Sequence, residues 1–341
     1  MATIKDVARL AGVSISTVSR VINNPDSVAQ EKRDAVNQAM KAVEYRPNTL
    51  ARALVNNRSD CIGLMVGELG GIFFAQVMQG IDKVVTQEGK HVIITSGYHD
   101  EDMEREAIEF LIQRRCDGLI LHSKALSDEA LREVAGRSTP VVFINRLVPG
   151  LEQQCIFLNN ITGGRLATDY LIEQGHRNIA FICSNLATVP DGVERQTGYF
   201  EAMQAAGMPA KSALVIKAFP DEQGGYEATA ELINSGQPFT ALFAYSDQMA
   251  VGAINALDDH GLRVPEDVSV IGFDDVDMAK YLRPSLTTIH YPISAMGARA
   301  ALRILSMIDA EHHPDHGGEL EFAPSLVKRK SVMSIKSRQS V

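Results

Sequence analysis

Apolar residues follow two different spacings along this chain of 341 residues, and the change falls near residue 60. Before it, they recur at the i, i+3, i+4 and i+7 positions typical of amphipathic helices. The first predicted helix spans residues 4–11, with an apolar face of Ile4, Val7, Ala8 and Ala11. The second helix has an apolar face of Val18, Val21 and Ile22. The third has one of Val36, Ala39, Met40 and Val43. The pattern predicts a small bundle of three helices.

The first two helices have clear start and stop signals. Thr3 stands where an N-cap is wanted, with Asp6 three residues later, and Gly12 breaks the first helix. Ser14 or Ser16 can cap the second helix. Two short helices joined by a short glycine-containing turn are typical of a helix-turn-helix, whose second helix enters the major groove of DNA. A three-helix bundle without a DNA role is the alternative at this point.

The outward face of the second helix has side chains suited to reading base edges. Arg can bind guanine with two hydrogen bonds, Ser can bond to several bases, and an apolar tip can contact a thymine methyl group. The face consists of Ile15, Ser16, Ser19, Arg20 and Asn23. We therefore expect this helix to contact DNA.

From residue 61, short β-branched runs alternate with amphipathic stretches. Such alternation predicts parallel sheets covered by helices on both faces. Ten runs suggest two similar halves of five to six strands each, and they are Ile62–Val66, Val92–Thr95, Gly118–His122, Val141–Asn145, Ile156–Leu158, Ile179–Cys183, Leu214–Ala218, Ala241–Tyr245, Val268–Phe273 and Thr287–Tyr291.

Charge is distributed unevenly along the chain. The net charge is -9, which disfavours a nucleic-acid role for the chain as a whole. Residues 1–60, however, carry nine Lys and Arg against six Asp and Glu, while the remainder carries 24 against 36. The basic excess is therefore confined to the segment with the predicted helix-turn-helix.

Several other classes of protein are disfavoured. The 45% hydrophobic and 22% charged composition is that of a globular protein, and no apolar run approaches the roughly 18–20 residues of a membrane span. Four scattered cysteines are interpreted as reduced core thiols of a cytoplasmic protein. The chain has no G-x-G-x-x-G after a strand, no Walker motif and no G-x-S-x-G, so we expect neither an enzyme nor a cofactor. His312, His313 and His316 lie in a Pro/Gly-bearing segment that is interpreted as an exposed loop rather than a metal site.

Two sequence motifs resemble the lactose/galactose repressor family of transcriptional regulators. Thr3–Asn24 resembles the family's DNA-binding headpiece. Tyr45-Arg46-Pro47-Asn48, followed by Ala51-Arg52-Ala53-Leu54, is similar to its hinge. The resemblance extends over essentially the whole chain. It implies an all-α helix-turn-helix headpiece followed by an α/β core of two doubly wound, periplasmic-binding-protein-like subdomains.

The resemblance also implies the division of the chain. The expected headpiece is 1–46, the hinge helix and linker 47–60, the ligand-binding and dimerisation core 61–330, and the basic tail 331–341. Within the core, subdomain one is expected at 61–159 and 291–321, and subdomain two at 160–289 and 323–330.

The family places paired hinge helices in the minor groove of the operator. Pro47 ends the third helix, and residues 49–56 could form only two helical turns, which are marginal alone in water. By resemblance, Leu54 wedges between base pairs. The expected DNA-binding residues are Thr3, Ser14, Ile15, Ser16, Thr17, Ser19, Arg20, Asn23, Asn48, Ala51 and Leu54.

Polar and aromatic side chains follow the predicted strands, where ligands of parallel sheets bind. Between two subdomains, such side chains would line a cleft. Hydroxyl groups need donor and acceptor pairs, and the C–H face of a sugar needs an aromatic surface. With the family's positions, the expected ligand-binding residues are Phe73, Phe74, His99, His122, Asn145, Arg146, Arg195, Asp247 and Asp274.

Several short motifs most resemble the galactose repressor and isorepressor branch, among them Tyr98-His99, His122-Ser123-Lys124 and Ile144-Asn145-Arg146. Gly71-Ile72 and Ile15-Ser16 depart from that branch, which usually has Asp-Pro and Val-Ala there. The resemblance implies a repressor released from its operator by a galactose-like sugar. The alternatives are a different sugar, a co-repressing ligand, or a sugar-binding protein without DNA function.

The resemblance further implies a homodimer on a pseudo-palindromic operator, with no membrane partner. Tetrameric relatives add a C-terminal leucine-heptad helix, whereas the tail Ser331–Val341 is short and polar. We expect a bacterial cytoplasmic protein that associates with the nucleoid when bound to its operator.

Overall fold

The computed structural model of the chain describes residues 2–23, 25–45, 58–186, 190–208, 214–315 and 317–335. The chain divides into two compact units, Met1–Cys61 and Ile62–Val341. The predicted hinge helix at 49–56 lies outside the described residues.

The first unit contains the three predicted helices, α1 (Ile4–Ala11), α2 (Ile15–Asn23) and α3 (Gln30–Ala42). Their apolar faces meet at Val7, Val18 and Val36, which are completely buried. The backbone N–H and hydroxyl of Thr3 both donate to Asp6 Oδ2, at 3.0 and 2.8 Å, so the predicted start of α1 is confirmed. Gly12 ends α1 in the left-handed region, with φ of 65°.

The second unit is an α/β core. Its strands are β1 (Cys61–Val66), β2 (His91–Ser96), β3 (Gly118–Leu121), β4 (Val141–Ile144), β5 (Cys155–Leu158), β6 (Ile179–Ser184), β7 (Val215–Ala218), β8 (Ala241–Ala244), β9 (Ser269–Asp274), β10 (Thr287–His290), β11 (Glu321–Phe322) and β12 (Ser325–Val327). Its helices are α4 (Ile72–Gln87), α5 (Glu101–Gln113), α6 (Asp128–Ala135), α7 (Asn160–Glu173), α8 (Pro190–Ala205), α9 (Glu222–Asn234), α10 (Asp247–Asp259) and α11 (Ile293–Ile308).

The strands form two sheets of six strands, which define two subdomains. Subdomain one has the strand order β11-β5-β4-β3-β1-β2, and subdomain two has β12-β10-β9-β8-β6-β7. All ten predicted strands are present, and the predicted fold class is confirmed. In subdomain two, only β12 is antiparallel to its neighbour. The helices α6 and α11 and the short strand β11 were missed by the sequence analysis.

The chain passes between the subdomains three times. It passes from β5 to α7, from β10 to α11 and from β11 to β12, so each subdomain is assembled from separate segments. Tyr291, Asn160 and Pro324 lie in or beside these crossovers, and Tyr291 and Asn160 are buried. The carboxyl ends of the parallel strands therefore border the region where the two subdomains meet.

No helix among the described residues is long and apolar enough to span a membrane. None of the four cysteines is in a disulfide bond, and Cys116, Cys155 and Cys183 are buried.

Candidate ligand-binding cleft and nucleic-acid interface

The outward face of α2 has the properties expected of a base-reading surface. Ile15 is 44% exposed although it is a large apolar side chain, and Ser16 and Arg20 are also exposed. On the opposite face, Val18 and Val21 are buried in the bundle. An exposed apolar side chain beside a cation and a hydroxyl is available for contact with another molecule.

The beginning of α2 is organised by hydroxyl groups. Ser14 Oγ accepts a hydrogen bond from the backbone N–H of Thr17 at 3.1 Å, so Ser14 is the residue that caps the helix. The Ser14 hydroxyl also lies 2.8 Å from those of Ser16 and Thr17. Thr3 is exposed, and Ser19 is half-buried. The side chain of Asn23 and all of Asn48, Ala51 and Leu54 lie outside the described residues.

A cleft of about 660 Å³ lies where the carboxyl ends of the strands of both subdomains meet. Seven of the nine predicted ligand-binding residues line it: Phe73, Phe74, His99, His122, Asn145, Arg195 and Asp274. They come from six different strand ends or following segments, and the fold brings them together as the sequence analysis expected.

The side of the cleft that belongs to subdomain one is aromatic. Phe73 and Phe74 begin α4, and their ring centroids lie 5.3 Å apart at nearly a right angle. The Phe74 ring is 5.0 Å from that of His122, and the Phe73 ring is 5.6 Å from that of Tyr291. His99 adds a further ring, 6.1 Å from His122. The arrangement presents a continuous apolar surface with imidazole nitrogens within it.

Three of the predicted ligand-binding residues that line the cleft have an unusual backbone conformation. His99, Asn145 and Asp274 have φ values of 56°, 58° and 112°, in the region that favours glycine. Non-glycine residues are held there only where the surrounding structure imposes it, and such positions cluster at functional sites. Gly67 makes room for this geometry, because a Cβ at that position would overlap the His99 ring. Here the backbone turns directly after the strands and directs side chains into the cleft.

The side that belongs to subdomain two is charged, and Arg195 lies at its centre. Its NH1 donates to the carbonyl oxygen of Tyr245 at 2.6 Å, and its Nε donates to Asn160 Oδ1 at 3.0 Å. NH1 also lies 3.7 Å from Asp274 Oδ1. The side chain is almost completely buried, so its orientation is fixed before any ligand binds.

A buried ion pair joins the two subdomains across the cleft. Lys124 follows β3 in subdomain one, Asp191 lies in the first turn of α8 in subdomain two, and Lys124 Nζ is 3.3 Å from Asp191 Oδ1. Burial alone would raise the pKa of the Asp191 carboxyl. The cations Lys124 and Arg195 outweigh that effect and hold its pKa well below the ordinary range. Asp191 is therefore ionised at neutral pH.

The other titratable groups of the cleft respond mainly to burial. Burial raises the pKa of Asp274 to about 7, with Arg195 opposing the shift and Asp191 adding to it. Burial, reinforced by the charge of Lys124, lowers the pKa of His122 well below its ordinary value and also lowers that of His99. Both imidazoles are therefore neutral near pH 7 and can both donate and accept hydrogen bonds.

Asp247 and Arg146 do not line the cleft, contrary to the sequence-based expectation. Asp247 is buried in subdomain two, where Oδ2 accepts from the backbone N–H of Val276 at 2.9 Å and Oδ1 accepts from Thr288 Oγ1 at 2.6 Å. Arg146 turns away and donates to the carbonyl oxygen of Leu126 at 2.8 Å and to Asp128 at 2.7 Å. Both side chains form hydrogen bonds within the protein and stabilise the loops that they contact.

Several residues of the cleft were missed by the sequence analysis. Asp191, Tyr245, Gln248 and Glu68 all line it. Asp191 had a detectable signal, because it lies four residues before Arg195 and therefore on the same face of a helix. Glu104 lies behind the cleft, and its carboxylate accepts hydrogen bonds from the backbone N–H groups of Lys124, Ala125 and Leu126. Nothing in the local sequence indicated that role.

Within the described part of the chain, no group of three or more His, Cys, Asp or Glu side chains could hold a metal ion. His312 lies beside Asp309 in an exposed turn, and His313 is 3.7 Å from Glu88. His316 lies outside the described residues.

Comparison with known proteins identifies the family. The sequence model for bacterial regulatory proteins of the lacI family matches residues 3–48, and that for a periplasmic binding protein-like domain matches residues 168–332. The HTH-type transcriptional regulator GalR of Escherichia coli (strain K12) is 44% identical over 97% of this chain and 96% of that protein. The HTH-type transcriptional regulator GalS of Salmonella typhimurium (strain LT2) is 43% identical over 97% of each chain.

Solved structures agree with the sequence comparison. The lac repressor dimer bound to operator and the anti-inducer ONPF superposes with a TM-score of 0.86, at 28% identity, over 97% of this chain and 99% of that one. The transcriptional regulator CelR in complex with cellobiose has a TM-score of 0.70 at 33% identity, over 97% of this chain and 100% of that one. The chain is thus a member of the lacI family of bacterial DNA-binding transcriptional regulators.

Proposed function

We propose that this protein is a homodimeric repressor whose operator affinity is lowered by D-galactose or a galactoside bound in the cleft. Residues 1–46 form the DNA-binding headpiece, 47–60 the hinge, and 61–330 the ligand-binding and dimerising core, followed by the tail 331–341. The sugar changes the relative orientation of the subdomains, and the hinge transmits that change to the operator in the cytoplasm.

The observation that carries the proposal is the pairing of an aromatic side and a polar side across one cleft. The rings of Phe73, Phe74 and His122 offer a surface for the C–H face of a sugar ring. Opposite them, Arg195, Asp191 and Asp274 offer fixed donors and acceptors for hydroxyl groups. A site of this kind suits a small polyhydroxylated ligand.

Relatives support galactose as the sugar and DNA as the macromolecular partner. The regulators named GalR and GalS are 43–45% identical to this chain over nearly their whole length. Related solved structures contain cellobiose or ribose, and the lac repressor is bound to its operator as a dimer. Homodimers of helix-turn-helix proteins read pseudo-palindromic sites because the two headpieces are related by two-fold symmetry.

On the DNA side, the exposed face of α2 supports base reading. Arg20 and Ser16 are expected to contact base edges in the major groove, and Ile15 a thymine methyl group. Thr3, Ser14, Thr17, Ser19 and Asn23 are expected to contribute backbone or base contacts around them. Asn48, Ala51 and Leu54 are expected to contact the minor groove, with Leu54 as the wedge.

A second candidate function within the family is co-repression, in which the ligand strengthens operator binding. The resemblance to the family implies this alternative as well as induction. A different sugar as inducer, or a sugar-binding protein without DNA function, are the remaining alternatives.

Two measurements test the proposal. A thermal-shift screen of monosaccharides should give a concentration-dependent rise in Tm with galactose. A gel-shift titration of duplex DNA selected from a random pool should show salt-sensitive, sequence-selective binding that galactose weakens. Binding strengthened by the ligand would support co-repression instead. Unselective duplex binding would refute the repressor function, and a Tm response only to another sugar would refute galactose.

A further inference from the structure

Lys124 and Asp191 form the buried contact between opposite charges that spans the cleft. Their side chains are only 2% and 4% exposed, and both line the cleft. Removing two charges from water is costly, and a simple apolar or hydroxyl pair could join the subdomains at less cost. Holding the two subdomains together therefore does not by itself explain why this position has two full charges.

Both side chains are held firmly. The Glu104 carboxylate accepts the backbone N–H of Lys124 at 2.9 Å, and Lys124 Nζ donates to the carbonyl oxygen of Asn145 at 2.7 Å. Asp191 Oδ2 accepts from the Tyr245 hydroxyl at 3.0 Å and from Asn145 Nδ2 at 3.4 Å. Because of these hydrogen bonds, each of the two charged groups stays at the cleft even when the other charge is removed.

The charges around the cleft are arranged in opposite pairs. Lys124 lies beside Asp191, and Arg195 lies 3.8 Å from Asp191 and 3.7 Å from Asp274. Glu68 lies at the rim and is half-exposed, where solvent screens its charge. At neutral pH Asp191 is ionised and neutralises Lys124, whereas Asp274, with a pKa of about 7, is only partly ionised beside Arg195.

We propose that Lys124 and Asp191 determine specificity by neutralising each other, so that the cleft selects uncharged sugars and rejects their acidic and amino counterparts. This inference rests on the sugar-binding part of the proposed function. A uronate would place its carboxylate beside the ionised Asp191, which already neutralises Lys124. An amino sugar would place its ammonium beside Lys124 and Arg195. Rejection by unpaired like charges is a general source of specificity.

The test compares galactose, galacturonate and galactosamine by isothermal titration calorimetry near pH 7. For wild-type protein, we expect galactose to bind most tightly. Asp191→Asn keeps the shape of the side chain but leaves the charge of Lys124 uncompensated. It should therefore improve the binding of galacturonate relative to galactose by about tenfold or more. Lys124→Met should improve galactosamine relative to galactose by a similar factor. The double variant, which has neither charge, should return both ratios to within about threefold of wild type.

A matched control is available at Lys90 and Asp117, whose side chains are also buried and lie 3.4 Å apart outside the cleft. Asp117→Asn should leave both ratios unchanged. The Tm of each variant without ligand shows whether it folds. If Asp191→Asn does not fold, Lys124→Met and the double variant provide the test. Unchanged ratios in folded variants would overturn the inference. Wild-type protein that binds glucose but not galactose would refute only the galactose assignment. The same ratio changes among glucose, glucuronate and glucosamine would still support the Lys124–Asp191 pair.

Discussion

The guanidinium carbon of Arg195 lies 3.6 Å from the ring centroid of Phe273, which places the cation directly over an aromatic face in the interior of subdomain two. The Tyr245 ring contacts the same guanidinium at 4.5 Å. Gly164 of α7 allows α8 to pack closely at this point, because a Cβ there would overlap the backbone of Arg195. A planar guanidinium is therefore fixed by stacking, hydrogen bonds and helix packing together.

This relationship predicts that lysine cannot replace Arg195. Lysine keeps the charge but cannot stack or donate simultaneously to the Tyr245 carbonyl and Asn160. We expect Arg195→Lys to weaken sugar binding at least about tenfold and to lower the Tm while sparing operator binding. Calorimetry checks the first effect. Arg165→Lys, on the exposed side of α7, is the matched control, and equal behaviour of the two variants would contradict the role given to Arg195.

The raised pKa of Asp274 predicts how stability depends on pH. Its folded-state pKa of about 7 lies above the ordinary value of 3.8, so the native state retains a proton that the unfolded state has released between those values. The stability contributed by Asp274 is present below about pH 4 and is lost as the pH rises to about 7. Relative to Asp274→Asn, wild-type protein should lose up to ~1.4 kcal/mol of unfolding free energy per pH unit in this window.

Urea unfolding of both proteins from pH 4 to 8 measures this difference. Asp277→Asn serves as a control, because the Asp277 side chain is 74% exposed. Parallel curves for wild type and Asp274→Asn would show that Asp274 titrates at its ordinary pKa.

The loop after β3 should depend on Glu104. Its buried carboxylate accepts from three backbone N–H groups and from the Ser123 hydroxyl. Glu104→Gln replaces one carboxylate oxygen with an NH2 donor, so at least one of the three backbone N–H groups loses its acceptor. We therefore expect a loss of about 2–3 kcal/mol in the free energy of unfolding. Glu101→Gln on the exposed side of α5 should change it by less than about 0.5 kcal/mol. A similar small effect for Glu104→Gln would mean that the loop holds its own shape.

Arg20 should govern sequence selection more than overall DNA affinity. Removing a base contact costs about 1–3 kcal/mol at the selected duplex and little at unrelated DNA, whereas removing a phosphate contact weakens both alike. Fluorescence anisotropy of Arg20→Ala with the selected and a scrambled duplex separates these outcomes. Lys41→Ala on α3 should leave the ratio unchanged, and equal losses on both duplexes for Arg20→Ala would make Arg20 a phosphate contact.

The fold was predictable because local patterns and tertiary structure agree. Eight of the ten predicted strands are almost completely buried, whereas β2 and β7 lie at the sheet edges and are partly exposed. The capping box at Thr3 and Asp6 is formed as its spacing indicated. Residues directly after strands, such as His99, Asn145 and Asp274, were identifiable because parallel strands end at one edge of a sheet. The helix α11 was missed although Pro292, directly before it, is a helix-start signal.

The remaining errors concern side-chain direction. Asp247 and Arg146 also follow strands, but their side chains turn into the protein. Asp247 occupies the space beside Gly272, and Arg146 donates to the carbonyl oxygen of Leu126. Asp191 and Glu104 act through partners more than 15 residues away in sequence, Lys124 and Ser123 among them. No local pattern encodes such contacts, because they depend on how separate strands are brought together.

Control of operator binding by the sugar-filled cleft is tested most directly by an anisotropy titration. Labelled duplex selected by this protein is titrated with wild-type repressor at increasing galactose concentrations. We expect saturating galactose to weaken duplex binding about 5- to 150-fold, and Arg195→Lys to shift this response to higher sugar concentrations. A duplex affinity that stays constant at galactose concentrations known to occupy the cleft would contradict control of operator binding by the sugar.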